Sequence, residues 1–126
     1  MPLPMYLFMT TIPTIKTIAV QRARQLQAER PGAVVTQELL EDRAILSVQM
    51  NNRVLETDFI ESPRSISLPR RSVEYYDILG QGIKLGIIVP RKKMEEEKAR
   101  MKRIKGPDRM IVMGYDEDLA DRPLVV

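Results

Sequence analysis

The chain contains no cysteine and no histidine. Without these residues there can be no disulfide, no thiolate nucleophile, no imidazole base and no Cys/His zinc site. Aromatic residues make up only 5% of the 126 residues, whereas 44% are hydrophobic and 29% are charged. This composition is typical of one soluble globular domain, and the length excludes a two-domain enzyme with a large interdomain cleft.

A long hydrophobic run is missing as well. The stretch from Met1 to Ile15 carries no charged side chain, but it is shorter than the roughly 20 apolar residues that a transmembrane helix needs. Pro2, Pro4 and Pro13 interrupt it, and it lacks the basic start and the small-residue cleavage site of a signal peptide. We therefore expect residues 1–13 to form an N-terminal strand or arm, in an intracellular protein with no membrane partner.

Residues that are prone to thermal damage are scarce. The chain has two asparagines, and its nine prolines outnumber its six glycines, although eight methionines run against this trend. In its size, in this scarcity and in its lack of a known motif, the chain resembles the small uncharacterised proteins encoded by hyperthermophilic archaeal viruses. The resemblance implies a viral protein that acts in the cytoplasm of the infected host cell or in a virion. It implies no activity.

The first regular element predicted is a helix from Thr14 to Arg30, which Pro31-Gly32 ends. Arg22 lies beside the apolar stripe of this helix, and we expect its charged head to reach solvent from the edge. The stripe itself repeats at helical spacing and consists of Ile15, Ile18, Ala19, Ala23 and Leu26.

A central β-hairpin is predicted around Asn51-Asn52, because asparagine tolerates the positive φ angles of a two-residue turn. Such a turn joins strands 44–50 and 53–60. It pairs Met50 with Arg53, and the simple register then pairs Val48 with Leu55, Leu46 with Thr57 and Ala44 with Phe59 on one nearly apolar face. The opposite, wetter face would carry Ile45, Ser47, Gln49, Val54, Glu56, Asp58 and Ile60.

The segments on either side of the hairpin are less distinctive. Ala33–Leu39 reads as a third strand, although Thr36 and the four residues after it also fit a single helical turn. Residues 62–71, with two prolines and three arginines, predict an extended surface loop. Residues 72–79 fit either a short helix or a strand.

The C-terminal third predicts a strand, a helix and a strand. Ile83–Val89 is strand-like, residues 91–105 are helical up to Gly106-Pro107, and residues 109–115 form another strand. This order and spacing fit a right-handed crossover between parallel strands. We therefore predict one α+β domain over residues 1–126, with a mixed sheet, an N-terminal helix, the central hairpin, a C-terminal β-α-β unit and an acidic tail at 116–126.

The predicted C-terminal helix carries the strongest functional signal. The net charge of the chain is +3, but residues 91–109 hold nine basic and four acidic side chains, and the tail after them is acidic. Lysines and arginines on an exposed helix can neutralise phosphates and give sequence-tolerant nucleic-acid binding. An arginine-rich segment with Tyr75 and Tyr76 behind it could add stacking on unpaired bases. The candidate binding residues are Lys98, Arg100, Lys102, Arg103 and Lys105, with Arg70 and Arg71.

A purely structural interpretation explains the same helix. Opposite charges four residues apart stabilise an exposed helix, and basic residues in its last turns complement its dipole. The pairs expected on this interpretation are Arg91–Glu95, Lys92–Glu96, Lys93–Glu97 and Glu96–Arg100.

Catalytic patterns are weak. Glu56 and Asp58, with Glu41 and Asp42 in the preceding turn, could hold Mg²⁺ for phosphodiester cleavage, but the acid-x-Lys pattern of restriction nucleases fails because Gly82 stands two residues before Lys84. The glycines at 80, 82 and 86 are one residue too widely spaced for a dinucleotide loop and precede a strand. We therefore predict no cofactor, no bound metal and no catalytic residue.

The leading hypothesis is a non-enzymatic binding or assembly protein, a homo-oligomer whose ligand is DNA or RNA. The first alternative is a protein–protein or virion-structural module that uses the apolar arm Leu3–Met9 and an open sheet edge. The second alternative is a small metal-dependent nuclease that uses Glu56 and Asp58.

Overall fold

The computed structural model describes residues 11–103 and 107–126. Expectations for the arm Leu3–Met9 and for Lys105 fall outside these ranges. The helices are α1 (Pro13–Glu29), α2 (Pro63–Ile66), α3 (Arg70–Gly80) and α4 (Met94–Met101). The strands are β1 (Val34–Leu39), β2 (Arg43–Met50), β3 (Arg53–Glu61), β4 (Lys84–Pro90) and β5 (Met110–Tyr115).

The five strands form one mixed sheet in the order β1-β2-β3-β4-β5. The first three are antiparallel neighbours, whereas β3, β4 and β5 run parallel. Helix α1 packs on one face of the sheet, and α3 and α4 pack on the other. The prediction of an α+β fold with an N-terminal helix, a hairpin and a β-α-β unit is confirmed.

Helix α1 forms where its apolar stripe predicts, and Pro13 lies in its first turn, where a missing N–H costs nothing. Its stripe is buried against β2 residues such as Leu46 and Val48. The expectation for Arg22 was wrong: its side chain is buried and bonded to carboxylates of β3 instead of reaching solvent. In the part of the chain that the structure describes, no helix has the length and apolarity to cross a bilayer.

The hairpin turn is confirmed, but its register is not. Asn51 and Asn52 both have positive φ, as a two-residue turn of this type requires. The register shifts at Val48/Gln49, so that Val48 pairs with Glu56 and Leu55 is an extra residue in β3. A β-bulge of this kind moves every later side chain of the strand to the opposite face.

The bulge reverses the environments predicted for β3. Phe59 packs with Tyr75 under α3, their ring centroids 5.1 Å apart. Glu56, Asp58 and Ile60 point towards α1 and are buried, although the simple register placed them on a wet face. The two carboxyl groups on this buried face contact Arg22 of α1.

The ambiguous segments take definite forms. Residues 34–39 are a strand paired with β2, which excludes the alternative of a helical turn at Thr36. Residues 62–71 are not an extended loop, since α2 and the start of α3 occupy them, and residues 72–79 are helical. Ser62 caps α2 by accepting a hydrogen bond from the Ser65 N–H while the Ser65 hydroxyl accepts one from the Ser62 N–H, and Pro63 follows the cap.

The C-terminal unit follows the prediction closely. Strand β4 is buried on both faces, as expected for a central parallel strand. A 3₁₀ turn (Arg91–Lys93) leads into α4, which returns the chain to β5 parallel to β4. The acidic tail then folds back, and Val125 exchanges two backbone hydrogen bonds with Gly114.

Gly86 in β4 gives the first test of this packing. A Cβ at this position would overlap the Asp58 carboxylate on β3, whereas a Cβ at Gly80 would meet no atom within 4 Å. We expect Gly86→Ala to lower the free energy of unfolding by about 1–3 kcal/mol, because the buried carboxylate has no room to move. The control Gly80→Ala should leave that free energy unchanged or raise it slightly. Urea unfolding of both variants measures the difference, and equal stabilities would contradict the packing at Asp58.

Candidate nucleic-acid interface

The second face of the sheet carries a layer made of α2, α3 and α4, with the 3₁₀ turn before α4. Tyr75 and Leu79 of α3, and Met94 and Met101 of α4, bury their side chains against β3, β4 and β5. The outer surfaces of these helices are therefore presented to solvent. We call this set, residues 62–80 and 91–103, the helical layer.

Arg100 joins α4 to α3. Its Nη1 donates a hydrogen bond to the Ser72 hydroxyl at 3.0 Å, and its Nη2 contacts Glu97 Oε2 at 2.6 Å. Glu97 is itself buried, so the guanidinium offsets a carboxylate that has lost its water. The bond to Ser72 brings the two basic segments of the sequence into contact.

A groove of about 230 Å³ runs between α2 and α4 beside this contact. Its walls carry two cations, Lys93 and Arg100, and two carboxylates, Glu96 and Glu97, with the Ser67 side chain at the α2 side. Lys93 and Glu96 approach only to 3.8 Å and both are largely exposed, so this ion pair contributes little to stability.

The candidate binding residues differ in their exposure to solvent. Lys102, Arg103 and Arg70 are exposed on the helical layer, and Lys98 is half-buried with its Nζ 3.8 Å from Glu95. Arg100 is half-buried and serves the contact with α3. Arg71 is buried, so it is not available at the surface. Lys105 lies outside the described residues.

Other exposed cations join this surface. Arg64 lies on α2, and the three cations at 91–93 precede α4. The structural interpretation of the sequence assigned these three cations to ion pairs within the helix. The predicted pairs four residues apart do not form within the described ranges; the pairs are instead three apart, at Lys93–Glu96, Glu95–Lys98 and Glu97–Arg100. Because residues 91–93 form a 3₁₀ turn, the α-helical spacing assumed for the prediction does not apply there.

The acidic tail faces one end of the layer. A cleft of about 320 Å³ beyond the carboxyl ends of β4 and β5 is lined by Arg91 and Lys92 on one side and by Asp116, Glu117 and Asp118 on the other. These carboxylates lower the positive potential around Arg91 and Lys92. The part of the layer without such opposition carries Arg64, Arg70, Lys93, Lys102 and Arg103.

Arg71 belongs to a buried network that holds the helical layer on the sheet. At its centre is Glu61, the last residue of β3, which is fully buried and accepts hydrogen bonds from Arg43 at 2.8 Å, from the Ser65 hydroxyl at 2.8 Å and from the Tyr75 hydroxyl. The Arg71 Nε lies 3.7 Å from the same carboxylate. Burial, reinforced by the Glu61 charge, raises the pKa of Tyr75 above its usual range. Tyr75 therefore stays protonated and donates a hydrogen bond to Glu61, and because it is buried it is not available for stacking on a base.

Glu74 completes the network at the surface. Its carboxylate accepts hydrogen bonds from Arg43 and from Arg71. Partial burial alone would raise the pKa of Glu74, but these two guanidinium groups outweigh it and lower the pKa. Arg43 therefore joins β2, β3 and α3 through two carboxylates.

The carboxylates proposed for a metal site, Glu56 and Asp58, lie on the other face of the sheet. Arg22 of α1 binds both of them: its Nε is 2.6 Å from Asp58 Oδ2 and its Nη2 is 3.2 Å from Glu56 Oε2. Lys84 Nζ lies 3.7 Å from the Glu56 carboxylate. Two cations thus occupy the places that a divalent ion would need.

The carboxyl pair holds a proton. Burial raises the pKa of Asp58 to about 8, and the hydrogen bond with Glu56 adds to this rise. Burial alone would raise the pKa of Glu56 too, but the hydrogen bond from Asp58 and the charges of Lys84 and Arg22 lower it. At neutral pH Asp58 is therefore protonated and donates to an ionised Glu56.

The described parts of the chain hold no group of three or more acidic side chains that could bind a metal ion. Glu41 and Asp42 lie in the turn before Arg43, which pairs with Glu61, whereas Asp58 and Glu56 pair with Leu46 and Val48 further along β2. The sequence did not indicate that Glu56 and Asp58 face α1, because the bulge that turns them to this face has no turn residue or compositional signal of its own.

Comparison of the chain with models of protein families, with curated proteins and with solved structures finds no match. The interpretation of the site therefore rests on its geometry.

The protonated Asp58 predicts a specific dependence of stability on pH. The folded chain holds a proton up to a pKa of about 8 that the unfolded chain releases near 4, so this group's contribution to stability falls as pH rises between these values. Asp58→Asn keeps the hydrogen bonds but cannot titrate. We expect the wild type to lose stability relative to this variant by up to about 1.4 kcal/mol per pH unit in that window.

Urea unfolding of both proteins at several pH values between about 5 and 8 measures this difference. Parallel profiles of the two proteins would mean that Asp58 is ionised in the fold, and would contradict the assignment.

Proposed function

We propose that this protein is a non-enzymatic nucleic-acid-binding protein that contacts phosphates through the helical layer. The observation that carries the proposal is the contact between Arg100 and Ser72, which joins the arginine-rich segment around α2 and α3 to the basic helix α4. This contact joins two basic segments, about 30 residues apart in the sequence, in one layer of the fold.

The charge of the chain is concentrated on this layer. Residues 62–80 and 91–103 contain ten basic and five acidic side chains, a net charge of +5, which leaves −2 for the remainder. The buried Arg71 and Glu97 belong to this count, and each is paired with an opposite charge of the same layer, Glu74 and Arg100. The exposed cations are thus the part of the layer that a ligand would meet.

The mechanism we propose is electrostatic. Arg64, Arg70, Lys102 and Arg103 have no carboxylate oxygen within 4.0 Å in residues 11–103 and 107–126. Phosphates would replace the counterions around these side chains, and the release of those ions would drive binding that depends steeply on salt. No base-reading element is required, so the binding is sequence-tolerant.

Tyr76 adds a way to recognise unpaired bases. It lies one turn after Ser72 on α3, and its ring is 52% exposed, while the neighbouring Tyr75 is buried. An exposed aromatic ring beside guanidinium groups can stack on a base that is not paired. We therefore propose that single strands bind more tightly than duplexes, and that Tyr76→Ser removes this preference.

We also expect a homo-oligomer, and the resemblance to proteins of hyperthermophilic archaeal viruses implies a viral protein that acts in the host cytoplasm or in a virion. These stay predictions. The binding proposed for the helical layer holds for either setting.

Salt titration with labelled DNA tests the proposal. We expect log K to fall linearly with log salt for a single-stranded and a duplex oligonucleotide. The variants Lys102→Gln/Arg103→Gln and Arg64→Gln/Arg70→Gln should each reduce the slope by about two, because each removes two phosphate contacts. Fluorescence anisotropy at several salt concentrations gives both affinity and slope.

The matched control is Arg24→Gln/Arg53→Gln, which removes the same charge from exposed positions outside the helical layer. It should leave the slope unchanged. Absence of binding at low salt, or an equal loss in the control, would overturn the proposal.

A further inference from the structure

The two edge strands of the sheet, β1 and β5, differ in how their outer backbone groups are paired. At β5, the tail covers the edge: Gly114 and Val125 exchange backbone hydrogen bonds of 2.7 and 2.9 Å. At β1, the strand pairs with β2 on one side, and within the described residues no strand pairs with its other side. An open strand edge is a template for pairing with another chain.

The turn between β1 and β2 shows which backbone groups point outward. Leu40 N–H donates to the Arg43 carbonyl at 2.9 Å across a two-residue turn. In an antiparallel pair the hydrogen-bonded residues alternate, so residues 34, 36 and 38 bond to β2. The N–H and C=O groups of Val35, Gln37 and Leu39 therefore point away from the sheet.

The side chains of β1 give this edge little protection. Natural edge strands are commonly guarded by lysine, proline or a bulge. The β1 sequence has neither lysine nor proline, pairs with β2 without a bulge, and has Glu38 as its one charged residue. Val34 is 61% exposed and Leu39 is 37% exposed.

From this geometry we infer that β1 binds β1 of a second copy, antiparallel, about a two-fold axis that passes through Gln37 perpendicular to the sheet. In this register Gln37 faces its own copy and Val35 faces Leu39. Every outward N–H and C=O of these residues finds a partner in the second chain. The inference does not depend on the proposed nucleic-acid binding.

The side chains favour this register over the adjacent one. With the axis at Gln37, Val34 lies opposite Leu40, Val35 opposite Leu39, and Glu38 opposite Thr36, so apolar groups meet apolar groups. With the axis moved to Thr36, the exposed Val34 side chain would lie opposite the Glu38 carboxylate. The axis at Gln37 also keeps the two Glu38 carboxylates from facing each other directly.

The resulting dimer has one continuous sheet through both copies. A two-fold axis perpendicular to a sheet leaves each face of the sheet on the same side in both copies. The two helical layers would therefore lie on one side of the dimer and the two α1 helices on the other.

The introduction of a charge at Gln37 tests the register directly, because this side chain is exposed and in the proposed dimer meets only its own copy at the axis. In Gln37→Lys alone, two lysines face each other, and in Gln37→Glu alone, two glutamates do. Each variant should raise the dimer dissociation constant about five-fold. An equimolar mixture of the two variants should form a heterodimer at least as tight as the wild-type dimer.

Sedimentation velocity over a range of concentrations measures these constants, with Gln81→Lys and Gln81→Glu as controls. Gln81 is exposed at the end of α3, far from β1 in the fold, so these variants should dimerise as the wild type does. Circular dichroism checks that every variant is folded.

Three results would overturn the inference. One is a wild-type protein that is monomeric at every concentration. Another is a dimer that Gln37→Lys and Gln37→Glu leave unchanged, which would place the interface elsewhere. The third is a monomer whose β1 amides are protected from hydrogen exchange, which would mean that another segment of the same chain covers the edge.

Discussion

The buried carboxyl groups of β3 determine how α1 and the helical layer lie on the sheet. Asp58 and Glu56 are held by Arg22 from α1, and Glu61 is held by Arg43 and by Tyr75 of α3. An ionised carboxylate that is removed from water without a partner would cost several kcal/mol, so Glu56 and Glu61 require their donors. Strand β3 is therefore the element to which α1 and α3 are both attached by charge, in addition to the apolar clusters on its two faces.

This arrangement divides the cations of the chain into two groups with different roles. One group, Arg22, Arg43 and Arg71, is buried and forms ion pairs with buried carboxyl groups. Their neighbours in sequence, such as Arg70 beside Arg71, point outward from the same elements. Because the inner group fixes the helices, the outer group extends from helices whose positions on the sheet are set, and this is the group to which the proposed phosphate contacts belong. The net charge of +3 does not indicate which cations are buried and which are exposed.

The sequence predicted the elements with strong local signals. The Asn51-Asn52 turn, the stripe of α1 and the β-α-β unit all follow from turn chemistry or periodicity. The bulge in β3 has no such signal, and its effect was to reverse the environment of Glu56 and Asp58. Arg22 could have indicated the error, since an arginine on the apolar stripe of a helix calls for a buried opposite charge. The start of α2 was missed although Ser62-Pro63 and Ser65 have the spacing of a capping box.

The direct test of this account is the free energy of unfolding of Glu61→Gln, measured with urea against the wild type. Glutamine keeps the shape of the side chain but leaves the buried Arg43 with only the partly exposed Glu74 as a charged partner. If β3 holds the helical layer by charge, the variant should lose about 3 kcal/mol or more. A loss below about 0.5 kcal/mol, the range of an ordinary surface substitution, would show that apolar packing alone positions the layer.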